Sequence, residues 1–214
     1  MATQNQIQIT GTSPRLGAPP SPKFKNVIWE GRFQPIHRGH LAYIRELLAY
    51  GERVWLYVVA NETSHDLGLT PDRLPVPEFT EVVDPHHRPE KNPLPYWFRY
   101  LVVVETVRAE FGDGPVVVGG GRRLDLGWDL YEKIMPPDRV FITPDRDDFE
   151  DVKAAAWRRL QEKNFRINVS HLPKVSATMI RDRVRAGEPV EHLLAARTQE
   201  LLVEHEYFTR LGDL

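Results

Sequence analysis

Two histidines three residues apart, His37 and His40, lie inside the run Gly31-Arg32-Phe33-Gln34-Pro35-Ile36-His37-Arg38-Gly39-His40. The run falls between a short apolar segment, Val27-Ile28-Trp29, and a stretch with Leu41, Ile44, Leu47 and Leu48 at helical spacing. Histidines at that spacing, at a helix start, project toward one spot. Such a helix end attracts anions through its free N–H groups and its dipole. Imidazoles there can donate to phosphate oxygens as negative charge grows, and Arg32 supplies a cation nearby. Gly31 would let the backbone approach a phosphate, Pro35 stiffens the turn, and Gly39 would leave room between helix and ligand. Alone, the two histidines would read as a metal pair or as surface residues. The flanking Gly, Phe, Pro and Gly favour the phosphate reading.

Further residues could serve the same chemistry. In Val175-Ser176-Ala177-Thr178-Met179-Ile180-Arg181, Ser176 and Thr178 offer hydroxyls and a helix cap, and Arg181 lies one turn on, within reach of a phosphate. On its own this could be an ordinary N-cap. Gly119-Gly120-Gly121 follows an apolar run and precedes Trp128; it reads either as part of a nucleotide site or as a flexible turn. Asn92-Pro93 leads toward Arg99, while His86 and His87 read as solvated loop residues.

The elements that must position these residues alternate. Residues 1–24, rich in Gly, Ser and Pro, read as a poorly ordered tail; Gln6-Ile7-Gln8-Ile9 could pair as an edge strand. The folded domain, 25–214, opens with the strand at 27–29, followed by a helix at 39–50 and a buried strand at 54–59. Residues 61–95 hold seven prolines and little periodicity. They read as an insertion or lid without regular structure, or as a disordered segment without a role. Then come a helix at 96–111, a strand at 115–118, a helix at 128–135, a strand at 140–142, a helix at 147–163 and a strand at 167–172. The C-terminal part, 176–214, is helical. This order predicts an α/β, Rossmann-like, doubly wound parallel sheet, with ligands at the carboxyl ends of its strands.

Composition narrows the function. The 214 residues carry 28 basic and 30 acidic side chains, net −2, so the totals imply no basic face for nucleic acid. No apolar run approaches the roughly 20 residues of a membrane span. Cysteine is absent, which excludes disulfides, zinc–thiolate sites and a thiol nucleophile. A cytoplasmic setting is expected.

The 31–40 run resembles the GxFxPxHxGH signature of the nucleotidyltransferase superfamily, matching at Gly31, Phe33, Pro35, His37, Gly39 and His40. The form Gly-Arg-Phe-Gln-Pro is most similar to archaeal-type nicotinamide mononucleotide (NMN) adenylyltransferases and their bacterial relatives. The 175–181 run resembles the (I/V)SxTxIR signature of the same superfamily. The resemblance covers roughly 26–60 and 92–208. It implies transfer of a nucleotidyl group from a nucleoside triphosphate to a phosphorylated small molecule, with release of pyrophosphate. ATP plus NMN giving NAD is the leading expectation. The alternatives are a cytidylyl- or adenylyltransferase for another phosphorylated or phosphonylated metabolite, and a nucleotide-binding regulatory module. By resemblance, His37, His40 and Arg181 are catalytic, while Gly31, Arg32, Phe33, Gly39, Gly119, Gly120, Ser176 and Thr178 bind nucleotide. Trp128, Asn92 and Arg99 would contact the acceptor; Gly121 stands where relatives carry Asp. Magnesium would ride on the triphosphate and keep most of its waters, with no protein ligands. Relatives are often dimers or larger, an analogy only.

Overall fold

The computed structural model describes residues 13–17, 19 and 23–211. Gln6–Ile9 and most of the expected tail lie outside that range. Six strands form one sheet: β1 (Arg15–Leu16), β2 (Phe24–Gly31), β3 (Gly51–Val59), β4 (Val116–Gly121), β5 (Arg139–Asp145) and β6 (Asn164–Asn168). Their order is β1-β6-β5-β2-β3-β4, and every pairing is parallel. The chain runs outward from β2 through β3 to β4, then returns to the other side of β2 for β5 and β6. The direction of winding thus reverses between β2 and β5, where an open parallel sheet leaves a crevice at its carboxyl edge.

Both faces of the sheet are covered, as its continuous apolar strands require. One face packs Val27, Leu56 and Ile142 against α1 (Arg38–Tyr50), α3 (Tyr96–Phe111), α6 (Ala177–Arg185) and α7 (Ala196–Glu204). The other packs Ile28, Tyr57 and Phe141 against α4 (Trp128–Ile134) and α5 (Asp148–Arg159). The four-residue α8 (Tyr207–Arg210) closes the described chain. Among the described residues no helix is long and apolar enough to cross a membrane.

Three expectations need correction. Within the supposed tail, Arg15 and Leu16 pair with Arg166 and Ile167 as an edge strand, and Ser13 bonds the buried Asn164 at 2.5 Å. That same asparagine, bonded also to Thr143 at 2.9 Å, starts β6 three residues earlier than its apolar run suggested. The insertion, 61–95, is not without structure: α2 (Pro77–Val83) lies in its middle, with single 3-10 turns at 71–73, 84–86 and 89–91. Val76, Phe79 and Val83 bury themselves on Ala156 of α5. Each such side chain contributes roughly 1.5–3 kcal/mol, enough to hold a proline-rich segment in place. A buried polar network pins the insertion's other side. Arg123 and Asp125, each 2% exposed, pair at 2.7 Å; Arg123 also bonds Asp84, and Thr80 donates to Asp125 at 2.7 Å.

Candidate active site

The loop between β2 and α1 is built inward. Phe33 holds a left-handed backbone, φ 51°, which costs a non-glycine residue about 1–2 kcal/mol. This sends its buried ring under Gly31 and edge-on to Trp29 and His40. A Cβ on Gly31 would lie 2.8 Å from that ring. The space expected to admit a phosphate at Gly31 is therefore filled by Phe33. At Gly39, a Cβ would meet the Val175 carbonyl oxygen at 3.0 Å and the His37 ring at 3.1 Å. Its missing side chain lets α1 close on the segment before α6, so Gly39 joins the two motifs rather than making room for a ligand.

His37 caps α1, its Nδ1 accepting from the His40 amide at 3.3 Å. The neutral ring therefore carries its proton on Nε2, where it can donate. The two imidazoles stack, with centroids 3.6 Å apart and planes 20° apart. Burial, and secondarily the charge of Arg146, lowers the His37 pKa to about 3. Burial, then His37 and Arg146, holds His40 well below its ordinary value. Both rings are neutral at pH 7 and offer hydrogen bonds instead of charge. The Nδ1 of His40 is buried without a protein partner among the described residues.

Two further guanidiniums lie on or against the loop that carries this pair. Arg181, in the second turn of α6, donates to the Gln34 carbonyl at 3.1 Å and to Thr178 Oγ1 at 3.2 Å. Ser176 caps that helix, accepting from the Met179 amide at 3.1 Å. Arg32 donates through Nη1 to the His86 carbonyl and, at 3.3 Å, to Asn92 Oδ1. Burial and the like charge of Arg181 lower the Arg32 pKa to about 10. The hydrogen-bond partners of both guanidiniums, among the described residues, are uncharged oxygens. Arg32 and Arg181 thus sit close enough to act on each other, with Asp182 acting on Arg181, and neither spends a hydrogen bond on a carboxylate among the described residues. Sequence reasoning missed Arg146. It follows β5, is tied to Asp147 and Glu150 at 2.9 Å each, and acts electrostatically on both histidines. Its position after the strand beside β2 was the available signal.

The residues expected to touch the acceptor are otherwise engaged. Trp128 is 8% exposed and packs against Phe141 and Trp157, inside the second core cluster. Arg99 is 1% exposed. It bonds the carbonyls of Leu94 at 3.2 Å, Val59 at 3.0 Å and Arg32, and Asn61 Oδ1 at 2.9 Å. Four of its five donors are thus spent on the fold. Asn92 donates to the carbonyls of His86 at 3.0 Å and Arg88 at 2.7 Å and accepts from Arg32 and Gln34. Gly119 and Gly120 belong to β4 rather than to a turn. A Cβ at Gly119 would lie 2.9 Å from the Tyr57 ring, and one at Gly120 would collide with Tyr96 and Tyr100. His87, expected in solvent, is 4% exposed, and its Nδ1 donates to the Ala60 carbonyl at 3.0 Å. Burial, with Arg123 next, brings its pKa down to about 2. A cavity of about 700 Å³ lies within the insertion, and neither histidine of the pair lines it. Asp66, Glu78, Glu81 and Asp84 line it against one arginine, Arg88, a balance that does not favour a polyanion.

Comparison with known proteins gives the family and supports the fold. The family model described as cytidylyltransferase-like matches residues 28–183. A phosphonoformate cytidylyltransferase of Streptomyces viridochromogenes is 30% identical over 179 residues, covering 81% of this chain and 88% of the relative. Among solved structures, a Vibrio parahaemolyticus protein provisionally described as a nicotinate-nucleotide adenylyltransferase superposes with a TM-score of 0.54 at 17% identity, covering 86% of this chain and 95% of that one. A bifunctional NMN adenylyltransferase/ADP ribose pyrophosphatase from Francisella tularensis gives 0.54 at 16% identity, covering 86% of this chain and 54% of that one. At such identities the structures speak for the fold alone.

Proposed function

From the premise that the chain belongs to the cytidylyltransferase-like family and is a nucleotidyltransferase, we propose that it transfers a cytidylyl group from CTP to a small phosphonate or phosphate and releases pyrophosphate. The observation that carries this reading is that Arg181 reaches the loop between β2 and α1, donating to the Gln34 carbonyl and acting on the charge of Arg32, and that the same loop carries the stacked neutral pair His37 and His40. An acceptor oxygen attacks the α-phosphorus in line, the bond to the β-phosphate oxygen breaks, and pyrophosphate leaves. The acceptor is already anionic, so no protein base or nucleophile takes part. The chain contributes positioning and charge stabilisation. His37 Nε2–H and His40 donate to the oxygens around the α-phosphorus, Arg32 and Arg181 hold the triphosphate, and Arg146 adds positive potential beside the histidines. Among the described residues no three metal-ligating side chains cluster. Magnesium would enter with the substrate triphosphate and would neutralise part of its charge. A cytoplasmic setting, where nucleoside triphosphates are made, belongs to the same proposal.

The preference for CTP and a small acceptor is supported by the relative that is 30% identical. It is supported further by the engagement of Trp128, Asn92 and Arg99, whose ring and most of whose polar atoms are committed to the fold rather than offered to a nicotinamide nucleotide. The second reading, ATP plus NMN giving NAD, rests on the Gly-Arg-Phe-Gln-Pro form of the loop. Pyrophosphate release, measured with CTP, ATP, GTP and UTP against phosphonoformate, other small phosphonates and NMN, separates the two. Turnover highest for CTP with a small phosphonate is expected. Turnover confined to ATP with NMN would overturn that choice and leave the nucleotidyltransferase assignment standing.

A further inference from the structure

Arg32 has two sets of partners to satisfy. Its Nη1 is committed to the insertion, through the His86 carbonyl and Asn92 Oδ1. Its Nε and Nη2 have no hydrogen-bond partner among the described residues, and the like charge of Arg181 acts on it. Asn92 is the hub of the insertion side. It draws in the carbonyls of His86 and Arg88, and its Oδ1 serves both Arg32 and, at 3.4 Å, Gln34. Gln34 in turn accepts from the Leu94 amide at 3.0 Å. Arg99, from beyond the insertion, grips the Arg32 carbonyl and the Val59 carbonyl. The loop that carries the histidines is thus tied to the insertion through one guanidinium and one amide, with every polar atom of the Asn92 side chain in use.

We propose that the insertion is a brace for the triphosphate site, and that Asn92 is its positioning residue. Asn92 holds Arg32 with Nη1 turned outward, so that Nε and Nη2 face the β- and γ-phosphates as a preformed fork. The brace removes side-chain freedom that binding would otherwise have to remove. It acts through Arg32 and makes no contact with the nucleotide. This rests on the proposed function above and adds to it a source of nucleotide affinity outside the two motifs. A lysine at position 32 keeps the charge but has no fork to share between brace and phosphate.

The test is calorimetric binding of CTP and of ATP, each with magnesium, to the full chain and to Asn92→Ala, Arg32→Ala, Arg32→Lys and the double variant Asn92→Ala/Arg32→Ala. Thermal melts check that each variant folds. Asn92→Ala is expected to weaken nucleotide binding about tenfold, and to have no further effect once Arg32 is alanine. Arg32→Lys should bind within about threefold of Arg32→Ala, a comparison that stands even if Asn92→Ala fails to fold. Additive effects of the two alanine substitutions, wild-type affinity in Asn92→Ala, or wild-type affinity in Arg32→Lys would each overturn the brace while leaving the functional reading intact. Failure of the wild-type chain to bind either nucleotide would overturn that reading and the brace with it.

Discussion

His37 and His40 illustrate how the site treats charge. Stacked rings that were both charged imidazoliums would repel at 3.6 Å, and burial already disfavours the charged form. The pair therefore serves as hydrogen-bond donors, and His37→Asn or His40→Ala is expected to lower kcat at least a hundredfold, a loss of about 2.7 kcal/mol in transition-state stabilisation. Stability should fall by no more than about 1 kcal/mol, the worth of the helix cap, and less for His37→Asn, which retains a capping side chain. Wild-type turnover in either variant would contradict the role. A pH effect follows as well. His37 and His87 titrate near 6.5 when unfolded, but at about 3 and about 2 when folded. Their stabilising contribution is therefore present above pH 6.5 and lost as pH falls through that window, where the unfolded chain binds the protons. Each contributes about 1.4 kcal/mol per pH unit, so denaturant unfolding at pH 5.5 should show about 3 kcal/mol less stability than at 7.5. Equal stability at the two pH values would mean the rings are not buried neutral.

At the scale of elements, the insertion decides most of what the motifs could not reveal. The buried Arg123–Asp125 pair, both 2% exposed, pins it from outside; without Asp125 the Arg123 charge keeps Asp84 but Thr80 loses its acceptor. Asp125→Ala should therefore cost about 1.5–3 kcal/mol and open residues 61–95 to proteolysis. By contrast, the exposed pair of Arg15, 76% exposed, with Asp145 should tolerate Arg15→Ala within about 1 kcal/mol. A denaturation midpoint unchanged by Asp125→Ala would refute the pinning. The apolar runs of β2, β3 and β5 were legible because a buried parallel strand has few other sequence forms. The 31–40 and 175–181 motifs were legible because their turn and cap residues are specific. The direction in which a side chain points was not legible. Trp128 was expected at the ligand and turned into the core; Arg99 and Asn92 were expected at the acceptor and turned to backbone carbonyls; Gly119 and Gly120 were explained by tyrosines far away in sequence. Arg146 lacked a motif, and only strand order brings it beside α1. The helix α2 was hidden by prolines because its stability comes from α5, not from local propensity.

For the whole molecule, topology is what makes a site of these parts. Winding reverses between β2 and β5, so the loop after β2, the residue after β5 and the start of α6 meet at one edge, with the insertion bonded to that loop through Arg32. The central claim is that this edge holds a triphosphate between imidazoles and guanidiniums. A crystal structure with magnesium and a non-hydrolysable CTP analogue tests it most directly. The account predicts α-phosphate oxygens within about 3 Å of His37 and His40, and β- and γ-phosphates on Arg32 and Arg181. A nucleotide seated in the insertion's own cavity, with His37 and Arg181 touching no phosphate, would contradict it.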